Sequence, residues 1–504
     1  MPSVIELGPV GYGRLRERHS LKCLPNYVES VVSYGTRHTH SESSIVRETY
    51  PKAYWPGEGD FAQLEFALKR EGVHLQLLRE MLPKLSAEDL TAFVRSKPTG
   101  ANTRRIWLLY EEFTGKRVEA LPDVLQGNYV DLLNTKQYYT GQTIRSPRHR
   151  VNINLPGNFE FCPIVRRTEI LKTFRAKQLA KRCQKVLDEI PPEIYSRALQ
   201  YLYRKETKSS YAIERETPDQ KRTRTFSDAL KEASQKDYLL KKNLVALQQM
   251  IVDPRYVDKG WRDEQIYVGR SISYTDEEVH FVAPRPQEIV ELMSAFLKAS
   301  RRILNSEMDP VVAAAVISYA FVFLHPFSDG NGRVHRFLIH YVLTQSGFAP
   351  EGVVFPVSAI MLHRIADYDA SLESFSKPLL PLVDYELDSV GRMTVNNDTR
   401  DFYRYIDFTK PVEALYSFVE DTIEKELPSE VRFLRQYDEA RRLMRDVVDL
   451  PNRHADLFVR LCLQNDGKLS KAKRGLREFQ PLSDEEISGL EDAVNGAYSS
   501  KKEG

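Results

Sequence analysis

The chain has 504 residues, and the side chains best suited to catalysis or ligand binding lie within residues 325–336. An imidazole such as His325 can take up a proton at neutral pH, because its ordinary pKa is near ~6.5. A carboxylate such as Asp329 is the kind of oxygen ligand that Mg²⁺ takes alongside phosphates. Arg333 and Arg336 are three residues apart on one side of a helix, which suits two successive phosphates. These residue types predict a base and a metal acting on a phosphorylated ligand.

The loop between these side chains has the composition of an anion-binding turn. Gly330 and Gly332 allow backbone amides to point inward, and the following helix adds the positive end of its dipole. Asp-Gly and Asn-Gly are also common in hairpin turns, so a plain turn is the alternative. The apolar flanks repeat with helical rather than alternating period. Asp309 followed by Pro310 is a typical start for the helix before the loop.

Residues 325–336, HPFSDGNGRVHR, match the signature HxFx(D/E)GNGRxxR of the Fic family at every fixed position. The chain resembles that family over about residues 205 to 375. The resemblance implies a mainly α fold with a Fic-type helical core and a small β-hairpin flap, plus extensions at both ends. It also implies AMPylation, the transfer of AMP from ATP to a Tyr, Thr or Ser hydroxyl of a target protein.

The same resemblance implies a role for each residue of the motif. His325 would be the catalytic base that deprotonates the target hydroxyl, and Asp329 would hold Mg²⁺ across the α- and β-phosphates. Phe327 would anchor the loop in the core. The residues expected to contact the nucleotide are Gly330, Asn331, Gly332, Arg333, Arg336 and, near the adenine, Tyr368.

A second motif lies upstream, where residues 210–214 read SYAIE. It resembles the (S/T)xxxE(G/N) inhibitory helix of one subgroup of the family, with Ser210 and Glu214 on one helix face. The resemblance implies that Glu214 pairs with Arg336 and keeps it from the γ-phosphate of ATP. Arg215 departs from the motif, and a cation there could draw Glu214 away. A solvated helix face is the alternative interpretation.

The elements around these motifs are predicted to be mainly helical. Helices are expected over residues 169–190, 192–205 and 226–250, and residues 215–224 are expected to form a loop. One small hairpin is predicted over residues 265–282, with a polar tip formed by Thr275, Asp276, Glu277 and Glu278. It resembles the flap that clamps a target backbone, although an ordinary surface hairpin is the alternative. We predict domains at residues 1–190, 191–393 (catalytic, with the inhibitory helix near 205–216) and 394–504.

Composition narrows the class of protein. The chain has 72 Lys and Arg against 70 Asp and Glu, which argues against a nucleic-acid coat protein. A basic run at residues 468–474 allows a helix-turn-helix module, but a solvated loop is favoured. The four cysteines are far apart and predict a reducing, cytoplasmic environment. The longest apolar run, residues 311–324, is too short to span a bilayer, and residues 1–6 do not start a secretory signal.

The sequence therefore predicts an adenylyltransferase that uses ATP and Mg²⁺, acts on a protein hydroxyl and is inhibited by Glu214. Two alternatives keep the site but change the reaction, namely removal of AMP from a modified protein and transfer of another nucleotide. A third is a binding or scaffold protein with a relic core, although His325 and Asp329 are both present. Self-modification and homo-oligomerisation stay open, and neither nucleic acid nor a membrane is expected as a partner.

Overall fold

The computed structural model describes residues 6–42, 45–271, 277–350 and 352–499, and most of these residues lie in helices. The predicted mainly α class is confirmed. The described part nevertheless contains four small sheets, more β-structure than the single predicted hairpin.

The first of these sheets lies near the amino terminus, in a segment whose polar composition gave no strand signal. Its strands are β1 (Glu6–Val10), β2 (Val28–Ser33), β3 (His38–Glu42) and β4 (Ile45–Pro51). Their order is β1-β2-β4-β3, with β2 and β4 parallel. Helix α1 (Tyr12–Arg18) follows β1. The sheet buries few apolar side chains, chiefly Val10, Val32 and Tyr50 against Phe66, which explains why alternation in the sequence is weak.

A second core is built from short helices and a three-stranded sheet. Its helices are α2 (Asp60–Arg70), α3 (Leu75–Met81), α4 (Ala87–Ser96) and α5 (Ala101–Thr114). Its strands are β5 (Val130–Asp131), β6 (Ile144–Ser146) and β7 (Val151–Ile153). Trp107 is buried at the centre of this unit and packs on His149.

The helices that follow differ from their predicted bounds. They are α6 (Glu169–Ala176), α7 (Leu179–Asp188), α8 (Pro192–Ile213), α9 (Gln220–Lys231) and α10 (Lys241–Ile251). The helix predicted over 169–190 breaks at Gln178, which has a φ of 51°. The predicted 226–250 helix is likewise two helices. The loop predicted over 215–224 ends earlier, because Asp219 accepts a hydrogen bond from the Arg222 amide and caps α9.

The hairpin and the helices around the signature motif form the centre of the molecule. The hairpin consists of β8 (Tyr267–Ser271) and β9 (Glu277–Val282), and helices α11 (Pro286–Leu304), α12 (Pro310–Leu324) and α13 (Asn331–Gln345) follow. The predicted strand pair is confirmed, but Glu277 and Glu278 of the predicted tip are the first residues of β9 and pair with β8. Thr275 and Asp276 of the tip lie outside the described residues. Helix α12 is buried from Val311 onward and starts at Asp309, which accepts hydrogen bonds from the amides of its first turn.

The rest of the chain is again helical apart from one short hairpin. The helices are α14 (Val357–His363), α15 (Ile365–Leu379), α16 (Arg400–Arg404), α17 (Thr409–Asp421), α18 (Leu427–Val447), α19 (Asn452–Leu463), α20 (Lys471–Arg474) and α21 (Asp484–Ser499). The hairpin pairs β10 (Tyr385–Leu387) with β11 (Met393–Val395). A π-helical turn over Thr422–Glu426 joins α17 to α18.

The largest hydrophobic core extends past the predicted domain limits in both directions. It includes Leu171 and Leu187 from the predicted amino-terminal domain, and Phe408 and Leu434 from the predicted carboxyl-terminal one. Residues from Ala440 onward form a separate small core. The boundaries at 190 and 394 remain predictions. Packing favours a central unit that also contains α6, α7, α16 and α17.

No helix in the described ranges combines the length and the apolar character needed to cross a membrane.

Candidate active site

His325 is the residue that ends α12, and its imidazole remains close to the last turn of that helix. His325 has a φ of 48°, in the left-handed region that ends helices, and its amide still donates to the Phe321 carbonyl at 3.0 Å. Its Nδ1 is 3.0 Å from the Val322 carbonyl. Because a carbonyl can only accept, Nδ1 carries the proton and Nε2 is left as the acceptor.

The surroundings of His325 keep this ring neutral. Burial lowers the pKa of His325 to about 4, and the Arg262 guanidinium acts in the same direction. The ring lies 6.1 Å from that of Phe281 on strand β9, measured between centroids. A neutral imidazole with a free Nε2 can accept a proton, so this side chain has the state a general base requires.

The turn after His325 is held by contacts made within it and beneath it. The Asn331 side chain accepts from the Phe327 amide at 3.0 Å and donates to the Phe327 carbonyl at 2.7 Å. The Phe327 ring is fully buried against Trp261, a position that suits a residue anchoring the loop. The Ser328 amide and hydroxyl both donate to Asp258, which lies in the segment before the hairpin.

Two glycines allow other side chains to approach the backbone closely at the start of α13. Gly330 has a φ of 87°, and a Cβ there would lie 2.6 Å from the Val252 side chain. A Cβ on Gly332 would lie 2.1 Å from Oε1 of Glu214. The amides of the first turn of a helix have no partner within the helix and favour anions, so we call this place beside Gly332, next to the Glu214 carboxylate, the anion position.

Glu214 also reaches the buried guanidinium of Arg336. Nη2 of Arg336 donates to Glu214 Oε1 at 2.7 Å, and Arg336 makes two further bonds to the Ser210 hydroxyl (2.9 Å) and carbonyl (2.6 Å). Burial raises the pKa of Glu214, but the Arg336 charge and hydrogen bond outweigh burial and leave the pKa below its usual range. The structure thus brings together the three residues that the inhibitory motif would join.

The left-handed end of α8 accounts for the departure at Arg215. Arg215 has a φ of 57°, its amide donates to the Ala212 carbonyl, and the Glu216 amide donates to the Tyr211 carbonyl. This is the helix-ending geometry in which Gly or Asn is favoured, because it costs other residues about 1 kcal/mol. Arg215 adopts it nonetheless, and Glu214 stays on Arg336.

Arg333 has a carboxylate partner that sequence reasoning missed. Its Nη1 donates to Glu216 Oε2 at 3.0 Å, and its Nη2 donates to Asp329 Oδ1 at 2.7 Å. The guanidinium lies 5.2 Å from the centre of the Tyr211 ring, and its side chain is only 1% exposed. The only sequence signal for Glu216 was a second carboxylate two residues beyond Glu214.

Tyr368, predicted near the adenine, is buried in helix α15 beside Arg336. Burial raises the pKa of Tyr368 to about 12, while the Arg336 charge opposes that rise. Its ring stacks on that of His335, with the two centroids 6.1 Å apart. The contact with adenine remains a prediction.

The residues present fit a nucleotide with Mg²⁺ better than a metal held by protein alone. The described residues contain no group of three or more His, Cys, Asp and Glu side chains placed to bind a metal. Asp329 offers one carboxylate, with its Oδ1 also accepting from the Gly330 amide at 2.5 Å. Mg²⁺ is commonly bound by one or two carboxylates together with substrate phosphates. The anion position at Gly332 supplies a place for those phosphates.

A comparison with known proteins finds similarity over part of the chain. Residues 238–343 match the family model described as the Fic/DOC family. The chain contains a Fic/DOC domain. The matched range includes the whole of residues 325–336, but Ser210, Glu214 and Tyr368 lie outside it.

The Fic domain is also the part that curated relatives share. Protein adenylyltransferase fic-1 of Caenorhabditis briggsae is 33% identical over 111 residues, 22% of this chain and 18% of that protein. Protein adenylyltransferase Fic of Culex quinquefasciatus is 36% identical over 163 residues, 31% of this chain and 28% of that protein. The chain therefore spans less than a third of the length of either relative.

A solved structure of a Fic family protein from Desulfovibrio desulfuricans G20 is 18% identical to this chain. It has a TM-score of 0.41 and covers 57% of this chain and 82% of its own.

Proposed function

We propose that this chain is a protein adenylyltransferase that transfers AMP from ATP to a Tyr, Thr or Ser hydroxyl of a protein. The observation that carries the proposal is the neutral His325, with Nε2 free, next to the anion position formed by Gly332 and Arg336. Two relatives of the Fic domain are named protein adenylyltransferase. Their names apply to longer proteins, so the activity of this chain is an inference from its site.

In the proposed reaction, Nε2 of His325 accepts the proton of the target hydroxyl. The hydroxyl oxygen forms a bond to the α-phosphorus, and the bond from that phosphorus to the β-bridging oxygen breaks, so that pyrophosphate leaves. The amides at Gly330, Asn331 and Gly332 and the guanidinium groups of Arg333 and Arg336 would bind the phosphates. When bound, Mg²⁺ would neutralise phosphate charge, with Asp329 as its protein ligand.

The arrangement around Glu214 supports an inhibited resting state. The carboxylate occupies the anion position at Gly332 and the hydrogen-bonding edge of Arg336, which the phosphates of ATP would also need. Glu216 holds Arg333 in a similar way. We therefore infer that nucleotide binding competes with two carboxylates of the segment that ends α8.

The environment and target are further parts of the proposal. All four cysteines are free and buried, which supports a reducing compartment such as the cytoplasm. Hairpin β8–β9 is two-stranded in the described part, so both strands have unpaired backbone groups to which a target segment could add.

The proposal is tested with ATP labelled on either the α- or the γ-phosphate. The purified Glu214→Gly variant should label itself from α-labelled ATP and not from γ-labelled ATP, because the γ-phosphate leaves with pyrophosphate. His325→Ala in the same background should abolish the labelling. Labelling from γ-labelled ATP would refute AMP transfer. Release of AMP from a pre-modified protein by the wild type would favour the hydrolase alternative.

A further inference from the structure

Arg262 is a buried arginine outside the signature motif, and all of its side-chain hydrogen bonds go to backbone carbonyls. Its Nε donates to the His325 carbonyl at 2.7 Å. Its Nη1 donates to the Glu264 carbonyl and its Nη2 to the Pro284 carbonyl, each at 2.6 Å. Its own amide donates to the Pro326 carbonyl at 2.9 Å.

These carbonyls belong to three separate segments around the site. Glu264 lies just before β8, Pro284 just after β9, and His325 in the turn that would carry out the chemistry. One guanidinium therefore holds both ends of the hairpin against the backbone of the base. A planar fork can reach three carbonyls at once, whereas the ammonium of lysine is a point charge and cannot reproduce that geometry.

Burial makes this arrangement costly unless every donor has a partner. Arg262 is 4% exposed, and burial lowers its pKa to about 10. In the described part of the chain it forms no ion pair, although Glu288 and the Tyr403 hydroxyl contribute to its electrostatic surroundings. The three carbonyl dipoles replace the water that would solvate this buried guanidinium, so its position depends on the backbone segments that carry them.

The hairpin and the imidazole are also in contact above Arg262. The Phe281 ring of β9 faces the His325 ring, and the Tyr403 hydroxyl donates to the Val282 carbonyl at the end of the same strand. A target segment added to β8 or β9 would thus be presented at a distance from Nε2 set by these contacts.

We propose that Arg262 is a positioning residue that fixes His325 relative to the target-binding hairpin. The inference rests on the proposed function, since it concerns the alignment of the hydroxyl with its base. Among the described residues, the hydrogen bonds of Arg262 go to carbonyls away from the anion position at Gly332, so Arg262 should affect the chemical step and not the binding of ATP. A displacement of the order of 1 Å can lower a rate by about a hundredfold.

The test uses the Glu214→Gly protein as parent and compares Arg262→Lys with Arg104→Lys. Arg104 is a matched control, because it is 5% exposed and donates to the Asn128 (2.8 Å) and Arg150 (3.3 Å) carbonyls in the second core. Arg262→Lys should lower kcat for labelling from α-labelled ATP by about ten- to hundredfold, with KM for ATP within about twofold of the parent. Arg104→Lys should change neither constant.

A pH profile of kcat distinguishes the effect of Arg262 on the position of His325 from the effect of its charge on the pKa of His325. The charged groups that act on His325 are Arg262, Glu214 and Asp329. In the Glu214→Gly parent, Arg262→Gln removes the positive charge that depresses the pKa of His325, so the acid limb of kcat should move to higher pH. Arg262→Lys retains a charge and should lose rate with little movement of that limb.

If the parent protein transfers no AMP, that result refutes the proposed function but not the role of Arg262. Hydrogen exchange then tests the role of Arg262 separately. In Arg262→Lys the amide hydrogen exchange rate should rise in three segments together, residues 264–271, 277–284 and 325–327. In Arg104→Lys the exchange rate of these segments should not change. Unchanged kcat in Arg262→Lys would overturn the inference, as would unchanged exchange. A parallel loss of kcat and ATP affinity with lower thermal stability would also overturn it, because it would indicate general support of the fold.

Discussion

Replacement of Glu214 by glycine should increase the affinity for ATP, because the carboxylate and the phosphates would compete for one position. The substitution removes a charge-assisted hydrogen bond of 2.7 Å to a guanidinium that is 1% exposed. Arg336 should keep its orientation in the variant, since its two bonds to Ser210 remain. The variant therefore vacates the anion position without removing the groups that bind the phosphates.

The size of the effect follows from the exposure of the two partners. Hydrogen bonds to charged groups contribute about 1.5–3 kcal/mol. The Glu214 side chain is 36% exposed, so solvent screening reduces this contribution. The reduction brings it to about 1–2 kcal/mol. With about 1.4 kcal/mol for each factor of ten, ATP should bind about five- to thirtyfold more tightly.

The assay is calorimetric titration of ATP with Mg²⁺ in a His325→Ala background, which prevents turnover. His325→Ala and His325→Ala with Glu214→Gly are compared. A matched control is Glu232→Gly, since Glu232 also ends a helix, α9, and pairs with Lys236 at 2.7 Å away from the site. The control should leave ATP affinity unchanged. AMP should gain less than ATP, because its single phosphate lies on the α side of the anion position.

The dependence of the Glu214→Gly effect on Arg336 tests whether the two side chains act through one contact. When Arg336→Ala is already present, Glu214→Gly should lose most of its effect, because groups in one contact do not act additively. Equal ATP affinities with and without Glu214 would show that the carboxylate does not compete with the nucleotide. An undiminished gain in the Arg336→Ala background would show that the competition does not involve this ion pair.

Three further predictions concern the neighbouring groups. Glu216→Gln should remove one of the two ion pairs of Arg333, in which the Glu216 side chain is 36% exposed. ATP binding should tighten by about two- to fivefold with no change for AMP, and a loss of affinity in calorimetry would contradict this. Asp329→Ala should abolish transfer and make ATP affinity equal with Mg²⁺ and with chelator, whereas a retained difference would indicate another ligand. Transfer by Glu214→Gly at saturating ATP and Mg²⁺ should be similar at pH 5.5 and 7.5. The pKa of His325 is lowered to about 4 in the wild type. The Glu214 carboxylate acts to raise that pKa, so its removal cannot bring the pKa closer to 5.5, and His325 stays neutral at both pH values. An unshifted imidazole would lose about tenfold, and such a loss would refute the neutral base.

Local sequence determined the elements on which the site is built. Asp309 and Pro310 start α12, and the apolar run after them forms a helix that is buried from Val311 onward. The glycines and asparagine of residues 330–332 specify a tight turn into α13, with polar groups at its amino-terminal end. Such features depend on neighbours within a few residues, and they were predictable.

Elements with weak local signals were predicted less well. Strands β1 to β4 bury few apolar side chains, and the parallel pairing of β2 with β4 joins strands that are not neighbours in the chain. The breaks at Gln178 and between α9 and α10 were also missed. At Gln178 the helical periodicity of the sequence continues across a residue with a left-handed backbone, and no glycine or asparagine at that position signals the break.

The sequence by itself determined which chemical groups stand at the start of α13, and the tertiary structure decided what faces them. Glu216 meets Arg333 across 117 positions, and Arg262 meets the carbonyl of His325 across 63. Nε2 of His340 in α13 lies 2.8 Å from Oε1 of the buried Glu206 in α8. Helical period orders side chains along one element, whereas contacts between elements depend on the packing of a common core and have no local sequence signal.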